Sequence, residues 1–321
     1  MKKMKIAIII SAIVVVVGLA LALIGMLLMR FDFNGLDSSR YQTNTHEISE
    51  EFNNILIDAK TADISFTLSQ DGACRVVCFE DERELHSVTV QDGTLQIRVE
   101  KSEWYHFVGI RFRSPSITVS LPKAAYDSLE IDVDTGDVTL PREFSFTNAT
   151  VESDTGDVSW QATVSETLTV TSDTGKLQVA EVSPKQLLVE NGTGDTSIGK
   201  AKVAELLQVK TGTGKMTLFE IECGAFTAES NTGDVEIRDL LATGAILIDT
   251  DTGSVDLDAC DAATITIHTD TGDVSGILLS EKIFVTKTKT GDVDVPKGTS
   301  GGICEVTTDT GDIELSVSVG S

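Results

Sequence analysis

A Thr-Gly turn motif recurs along most of this chain with an almost constant spacing. Ten such dipeptides between residues 134 and 312 follow one another at intervals of 19 or 20 residues, and most are flanked by Asp. Their glycines are Gly136, Gly156, Gly175, Gly194, Gly214, Gly233, Gly253, Gly272, Gly291 and Gly311. A short fixed period is the signature of a repeat architecture, whose units pack mainly against their neighbours. The chain is therefore expected to build an extended surface rather than a pocket.

Each repeat has the alternating pattern of β-strands. Apolar residues occupy every second position before the glycine (Leu129, Ile131, Val133) and after it (Val138, Leu140), as in strands with one buried face. Glycine supplies a positive φ, and the Asp two residues before it is expected to hydrogen-bond back onto the turn. The second turn of the repeat shows no fixed residue types, and its variable length accounts for the alternating spacing.

These dimensions suit a single-chain β-solenoid. Nineteen residues at about 3.3 Å each give a perimeter of about 60 Å, and ten coils at about 4.8 Å give a rod of about 48 Å. Only 5% of residues are aromatic, which fits a narrow core of branched side chains. The alternative is an antiparallel meander with Thr-Gly hairpins, but Thr-Gly is a poorer hairpin dipeptide than Asn-Gly. We predict an all-β, parallel β-helix-like solenoid of about ten coils, preceded by an N-terminal transmembrane helix and an irregular β cap.

The N-terminal segment has the features of a membrane anchor. Three lysines precede an uncharged apolar run over residues 6–29, and 24 residues at about 1.5 Å per residue can span a bilayer. A cleaved signal peptide, with residues 20–22 (Ala-Leu-Ala) as the cleavage site, is the alternative, although its apolar stretch is usually only about 7–15 residues. We predict an uncleaved single-pass anchor and cytoplasmic tip at 1–30, with the C-terminal domain outside the cell.

The part of the chain after this span is strongly acidic. It holds all 50 acidic residues and 21 of the 25 Lys and Arg, a formal charge of −29. Such a charge repels nucleic acid and anionic lipid headgroups. Partners of this part are therefore expected to be neutral, cationic or bridged by cations.

Three further regions follow the anchor. Residues 31–45 are polar and predict a juxtamembrane linker, and residues 46–126 predict an irregular β region that caps the repeat. The regular solenoid is expected over 127–321. An atypical N-terminal segment is typical of repeat proteins, because the open end of the stack must be covered.

Two local patterns stand out within the irregular region. Thr61-Ala62-Asp63 occupies the place that Thr-Gly-Asp has in later repeats, which predicts a degenerate first coil. Asp92-Gly93 lies between two alternating runs and predicts a β-hairpin turn.

The five cysteines are expected to be mostly free thiols. Cys223, Cys260 and Cys304 are two coils apart in turn, which is about 9.6 Å and beyond the reach of a disulfide. Cys74 and Cys78 are four residues apart in a strand-like run, about 13 Å if extended, which also disfavours pairing.

Residues 104–113 form the one aromatic and basic cluster in an acidic, aromatic-poor chain. The candidate partner contacts are Trp104, Tyr105, Phe107, Arg111 and Arg113. These residue types are enriched in binding hot spots, and aromatic residues near an anchor can also rest at the bilayer interface. The alternative is that the apolar residues of this segment cap the end of the core.

Stacked aspartates form a second candidate site. In a parallel stack, the Asp after each glycine lies about 4.8 Å from its neighbours, and Ca²⁺ could bridge them weakly. The candidate cation column is Asp137, Asp157, Asp273, Asp292 and Asp312. The last three are expected in succession along the stack. Lysines interrupt the column at Lys176 and Lys215, and the nonapeptide of calcium β-rolls is absent. Solvated turn carboxylates without a metal or cofactor are the favoured interpretation.

Catalytic and ice-binding interpretations fit the sequence poorly. Asp-Thr-Gly is also the tripeptide of aspartic proteases, but that chemistry needs two facing carboxylates, whereas here six copies lie in register. The Thr before each glycine forms one column, not the flat two-column face of an ice-binding surface. The four histidines are scattered, and no phosphate loop or nucleophile motif is present.

The arrangement of anchor, irregular strands and repeated turns resembles a bacterial family of β-strand-repeat ectodomain proteins, catalogued as putative adhesins and as a domain of unknown function. The resemblance rests on turns such as 134–138 and 154–158 (both Asp-Thr-Gly-Asp-Val) and covers roughly 46–321. It implies a β-repeat fold and a role in surface attachment or envelope stress. It supplies no catalytic residue.

Three functional hypotheses follow. The first is a non-enzymatic, membrane-anchored extracellular protein that binds a cell-envelope or host-surface component. The second is a regulatory module that senses envelope stress and acts on neighbouring membrane proteins through 104–113. The third is a polysaccharide-active β-helix enzyme. No two successive turn glycines are more than 20 residues apart, so the repeat has no room for the long loops of such an enzyme.

Overall fold

The structure of the chain is a computed structural model that describes residues 15–18, 40–102 and 113–318. Residues 15–18 are helical, and β-strands make up the rest of the regular structure that is described. The predicted span over residues 6–29 lies almost wholly outside the described residues. Within the described part of the chain, no helix is long and apolar enough to cross a membrane.

The strands form one sheet that winds into a solenoid of about ten turns, here called rungs. In chain order they are β1 Tyr41–Ile48, β2 Asn54–Thr61, β3 Asp63–Leu68, β4 Cys74–Asp81, β5 Glu84–Gln91, β6 Thr94–Ser102, β7 Ser116–Leu121, β8 Ala125–Thr135, β9 Val138–Leu140, β10 Ser145–Thr155, β11 Val158–Trp160, β12 Thr163–Thr174, β13 Leu177–Ala180, β14 Gln186–Thr193, β15 Thr196–Thr213, β16 Met216–Thr232, β17 Val235–Ala242, β18 Ala245–Thr252, β19 Val255–Cys260, β20 Thr264–Thr271, β21 Val274–Leu278, β22 Lys282–Thr290, β23 Val293–Asp294, β24 Gly302–Thr310 and β25 Ile313–Val317.

Successive rungs stack in parallel and in register. Thr155 of β10 pairs with Thr135 of β8 on one side and with Thr174 of β12 on the other. Face A consists of the strands that end at the Thr before each turn glycine. Face B consists of the strands that begin two residues after that glycine. The third side is the segment that leads from face B back to face A of the next rung. This register confirms the all-β solenoid and excludes the meander.

The core is a narrow column of apolar side chains inside the solenoid. Along β8, Leu129, Ile131 and Val133 are at most 1% exposed, and the residues between them face outward. Full burial of such a side chain stabilises the fold by about 1.5–3 kcal/mol. Each rung adds several of these side chains, so the alternation that the sequence shows is also the main source of stability.

The degenerate first coil is confirmed. Thr61 pairs with Thr135, and Asp63 accepts a hydrogen bond from the backbone N–H of Asp137 at 3.0 Å. Thr61-Ala62-Asp63 therefore lies in the same column as the Thr-Gly-Asp turns.

The N-terminal end of the solenoid is covered by antiparallel strands. β6 stacks on β2 and β7 stacks on β3, which places both in the outermost N-terminal rung. β5 then pairs antiparallel with β6, β4 with β7, and β1 with β4. Asp92 and Gly93, with φ of 49° and 73°, form the β5–β6 turn, so the predicted hairpin is confirmed.

The C-terminal end differs from the expected order. Thr310 of β24 pairs with Thr271 of β20 and also with Thr290 of β22, so the last rung of the sequence lies inside the one before it. The reason is burial of apolar surface. The inserted rung fully buries Cys304 and Val306, whereas the inward residues of β22 include two threonines and are only half-buried.

The second turn has the same backbone conformation in several rungs, although its residue types differ. Six residues after the turn glycine, five successive rungs place a non-glycine residue in the left-handed region. These residues are Glu181, Lys200, Glu220, Asp239 and Ala259, with φ between 53° and 59°. The sequence predicted a turn without fixed residue types, which is confirmed for these five positions, and the shared backbone conformation was not visible in the residue types.

All five cysteines are free and buried, which confirms the expectation of free thiols. Burial raises the pKa of Cys74 and Cys223 to about 11, and that of Cys78, Cys260 and Cys304 to about 12. Thiolates are the reactive species. We therefore expect no reaction of the folded chain with a thiol reagent at pH 8, and five equivalents after unfolding in denaturant. Rapid labelling of the folded chain would contradict this arrangement.

Candidate functional site

The ten turn glycines form a ridge along the solenoid, and their role there is steric. Gly156 has a φ of +149°, and a Cβ on it would lie 2.0 Å from the carbonyl oxygen of Gly136 in the preceding rung. The other nine have φ between +135° and +155°. Because an L side chain fits neither this conformation nor this spacing, the glycines are required for stacking and not for contact with a ligand.

The aspartates after the glycines form a hydrogen-bonded ladder. Asp137 Oδ1 accepts the backbone N–H of Asp157 at 2.8 Å, and Asp157 Oδ1 accepts that of Lys176 at 2.8 Å. Each carboxylate thus satisfies a turn N–H of the next rung, which would otherwise lack a partner in the ladder. The sequence analysis expected the Asp two residues before the glycine to bond back onto its own turn, and it did not anticipate these bonds between rungs from the Asp after the glycine.

The candidate cation column is reordered by the inserted rung. Asp273 Oδ1 accepts the N–H of Asp312, and Asp312 Oδ1 accepts the N–H of Asp292, both at 2.8 Å. The spatial order is therefore 273, 312, 292, and the expected succession was wrong. Among the residues that the structure describes, no group of three or more His, Cys, Asp or Glu side chains is placed to hold a metal ion.

Most of the aromatic and basic cluster lies outside the described residues, namely Trp104, Tyr105, Phe107 and Arg111. The fifth member, Arg113, is exposed, and its carbonyl oxygen accepts a hydrogen bond from the Tyr41 hydroxyl at 2.9 Å. β6 and β7, which flank the cluster in sequence, both belong to the outermost N-terminal rung.

Face A carries an acidic patch near its N-terminal end. In the ladder, Asp132 lies beside Asp58 on one side and Glu152 on the other, and all three are exposed. Asp134 and Asp154 extend the patch towards the turn. Partial burial raises the pKa of Asp132, and the negative charges of Asp58 and Glu152 raise it further. These five residues define the acidic patch, in which carboxylates of three successive rungs lie side by side.

Neutralising Asp132 is expected to stabilise the protein at neutral pH. Its folded pKa lies above the unfolded value of 3.8, so ionisation opposes folding and this cost is fully present above the folded pKa. Asp132→Asn should raise the free energy of unfolding by about 0.5 kcal/mol at pH 7 after solvent screening, less in high salt. The gain should fade as the pH falls towards 3.8. Urea unfolding at pH 7 and pH 3.5 measures it, and destabilisation at pH 7 would count against the repulsion.

The third side has two recesses of about 340 Å³ and 440 Å³. The charged groups of the first form ion pairs between neighbouring rungs, such as Lys202 Nζ with Glu222 Oε1 at 2.9 Å. In the second, the buried Lys282 donates to Asp261, Ser280 and the carbonyl oxygen of Ala262. Burial raises the pKa of Asp261, but the hydrogen bonds from Lys282 and Ser280 outweigh burial and leave this pKa lowered. These ion pairs and hydrogen bonds therefore connect neighbouring rungs.

Two buried polar groups were missed in the sequence. Three residues before the glycine, the inward position is Ser, Asn or Thr in most rungs, and Asn191 Nδ2 donates to the carbonyl oxygens of Gly175 and Gly194 at 3.1 Å. The repeated polar residue at this position was a visible signal. In the cap, the buried Glu80 lies 2.7 Å from His86 Nδ1, and only the fold brings this pair together.

Solved structures of similar shape have low sequence identity to this chain. A putative adhesin from Bacteroides fragilis is 16% identical, with 88% of this chain and 99% of that chain covered and a TM-score of 0.42. A putative lipid binding protein from Parabacteroides distasonis is 13% identical, with 85% and 96% covered and a TM-score of 0.47. These values are too low to bear on function. No curated protein matches the sequence.

A family model gives a more extensive match. The model described as Toastrack DUF4097 matches residues 52–217 and 197–319, which together include β2 to β25. This match confirms the resemblance that the repeated turns indicated. The chain belongs to the Toastrack DUF4097 family.

Proposed function

We propose that the chain is a non-enzymatic cell-surface binding protein. In this proposal residues 6–29 anchor it in the cell membrane, the solenoid lies outside the cell, and face A contacts an envelope or host-surface component. The observation that carries the proposal is the register of face A, which places the exposed carboxylates of Asp58, Asp132 and Glu152 one above another.

Such a face favours repetitive partners. Its side chains recur at the rung spacing of about 4.8 Å, so a polymer or a crowded surface can make many weak contacts at once. The acidic patch selects partners that are cationic or carry bound cations, because it repels anionic ones.

The non-enzymatic part of the proposal rests on the solenoid itself. Successive turn glycines are 19 or 20 residues apart, so the repeat carries no inserted loop of the kind that builds a substrate cleft. The aspartates that follow the glycines accept backbone hydrogen bonds, and the charges in the third-side recesses pair with each other.

Binding of the purified part outside the proposed anchor, residues 40–321, tests the proposal. It should be offered to the producing organism's cell wall, to mucin and to host cells, each with Ca²⁺ and with a chelator. Saturable binding to at least one surface is the expected result, and loss with chelator would identify cation bridging. Absence of binding to every surface would contradict the proposal and favour the regulatory alternative, with a partner in the same membrane.

A further inference from the structure

The two ends of the solenoid differ in how their outermost strands are covered. The N-terminal end is covered by the antiparallel strands β1, β4 and β5. At the C-terminal end, β22 is the outermost strand of face A, and within the described part of the chain it forms its ladder with β24 alone. At Lys282 the carbonyl oxygen lies against Gly298. Over residues 283–290 the other edge of β22 therefore presents unpaired backbone N–H and C=O groups, which can pair with a strand of another chain.

Exposed apolar side chains are concentrated at this end. Of the nine large hydrophobic residues that are exposed in the described part after residue 40, six lie between residues 277 and 303. They are Ile277, Leu279, Ile283, Val285, Val293 and Ile303, with exposures from 38% to 52%. Three of them lie on face A and two on face B, so apolar surface is exposed on two sides of this end, which is typical of an interaction surface.

The sequence of the edge strand is complementary to itself. The outward residues of β22 are Ile283, Val285 and Lys287, the exposed Glu281 directly precedes the strand, and Phe284 faces inward at the centre of this segment. If two copies pair antiparallel about Phe284, Glu281 lies opposite Lys287 of the other copy and Ile283 lies opposite Val285. Opposite charges and apolar pairs at directly opposed positions stabilise a sheet.

Other registers that keep the inward face inward are less favourable. Pairing about Ile283, Val285 or Thr286 would place a charged residue opposite an apolar one, and pairing about Lys287 would place the two copies of that lysine opposite each other. Pairing about Thr288 would place Lys287 opposite Lys289, and like charges directly opposite each other are destabilising. The strand thus selects the register centred on Phe284.

We propose that two copies of this chain associate end to end through antiparallel pairing of β22 with β22 of the second copy. The two-fold axis passes through Phe284 and perpendicular to face A, so the sheet and the core continue from one solenoid into the other. The interface is isologous and closed, which limits the assembly to a dimer.

This arrangement suits the charge of the chain. It keeps the acidic patches, which lie near the N-terminal ends, at opposite ends of a rod of about 100 Å, well beyond the screening length of about 8 Å. With the proposed N-terminal anchor, the two anchors also lie at opposite ends, so the dimer would join chains in facing membranes. Dimerisation itself does not depend on the anchor or on the binding of face A.

Charge exchange at the interface tests the proposal. The full chain in detergent micelles should sediment as a dimer, and Lys287→Glu or Glu281→Lys alone should raise the dimer dissociation constant at least tenfold, because each places like charges opposite each other. The double variant should restore the dimer. A monomeric wild type at 100 µM, or single variants that dimerise as tightly as wild type, would overturn the proposal.

A symmetric cross-link provides an independent test that does not rely on charge. Phe284→Cys places two thiols opposite each other at the two-fold axis, within reach of a disulfide, and mild oxidation should give a covalent dimer. The native cysteines are buried and serve as an internal background. Thr307→Cys is the control and should stay monomeric. Thr307 lies on β24, the rung next to β22, and its side chain faces outward. Equal cross-linking of both variants would contradict strand pairing at β22.

Discussion

Replacing Gly194 with alanine is expected to destabilise the protein by about 4 kcal/mol, because strain and a steric clash act together. Gly194 has a φ of +135°, and a Cβ there would lie 2.0 Å from the carbonyl oxygen of Gly175. The rungs cannot separate to relieve the clash without loss of the ladder hydrogen bonds on both faces. Urea unfolding followed by far-ultraviolet circular dichroism measures the loss.

Gly72→Ala is the matched control for this substitution. Gly72 also has a positive φ, +76°, but nothing lies within 4 Å of a Cβ at that position. This variant should therefore lose only the conformational part, about 1 kcal/mol. Equal losses in the two variants would show that φ alone, and not the close stacking of turns, requires the glycine column.

Trp160→Ala is expected to cost about 4 kcal/mol, because it opens a large cavity in a narrow core. The side chain is fully buried, its ring centroid lies 6.1 Å from that of Phe146, and Nε1–H donates to the carbonyl oxygen of Ala162 at 2.8 Å. Since each rung supports its neighbours, the unfolding transition should also broaden as nearby rungs lose cooperativity.

Trp160→Phe separates the two contributions of this residue. It retains most of the apolar volume and removes the indole hydrogen bond, so its loss should be about 1–2 kcal/mol. Thermal unfolding of both variants gives the comparison. A loss below 1 kcal/mol for Trp160→Ala would mean that the core around β11 is not packed as described.

The parts of the fold that repeat could be predicted from the sequence. The glycine spacing and the alternation around it are enough for a parallel solenoid, since each rung obeys the same local rules. Ala62 could be aligned with the turn glycines because Thr61 and Asp63 flank it as in the later turns. Asp92-Gly93 was identified because its turn chemistry is local.

The order of the last two rungs could not be predicted, for a physical reason. Both carry a Thr-Gly-Asp turn, so the turn chemistry does not distinguish which of them stacks on the Gly272 rung. The difference lies in the inward residues. Cys304 and Val306 are fully buried and apolar, whereas the inward residues of β22 include two threonines and are only half-buried. The outcome depends on the energies of whole rungs and not on a motif.

The candidate site was less accessible to sequence reasoning than the fold. The stacked aspartates were interpreted as solvated turn carboxylates, with a weak cation column as the alternative, because spacing shows that aspartates stack but not which N–H each one accepts. The acidic patch arises from residues that are 74 positions apart, Asp58 and Asp132. They become neighbours because β4 to β7, which form the cap and the outermost rung, lie between two adjacent rungs in the sequence.

Binding by face A is the central claim, and a comparison of two double variants tests it most directly. Asp132→Asn with Glu152→Gln neutralises the acidic patch, and Asp256→Asn with Glu314→Gln removes the same charge from face B, where both side chains are exposed. Dissociation constants for the surface that the wild type binds should rise at least tenfold in the first variant and stay within twofold in the second. Equal affinity in both variants, or a larger loss in the second, would contradict recognition through face A.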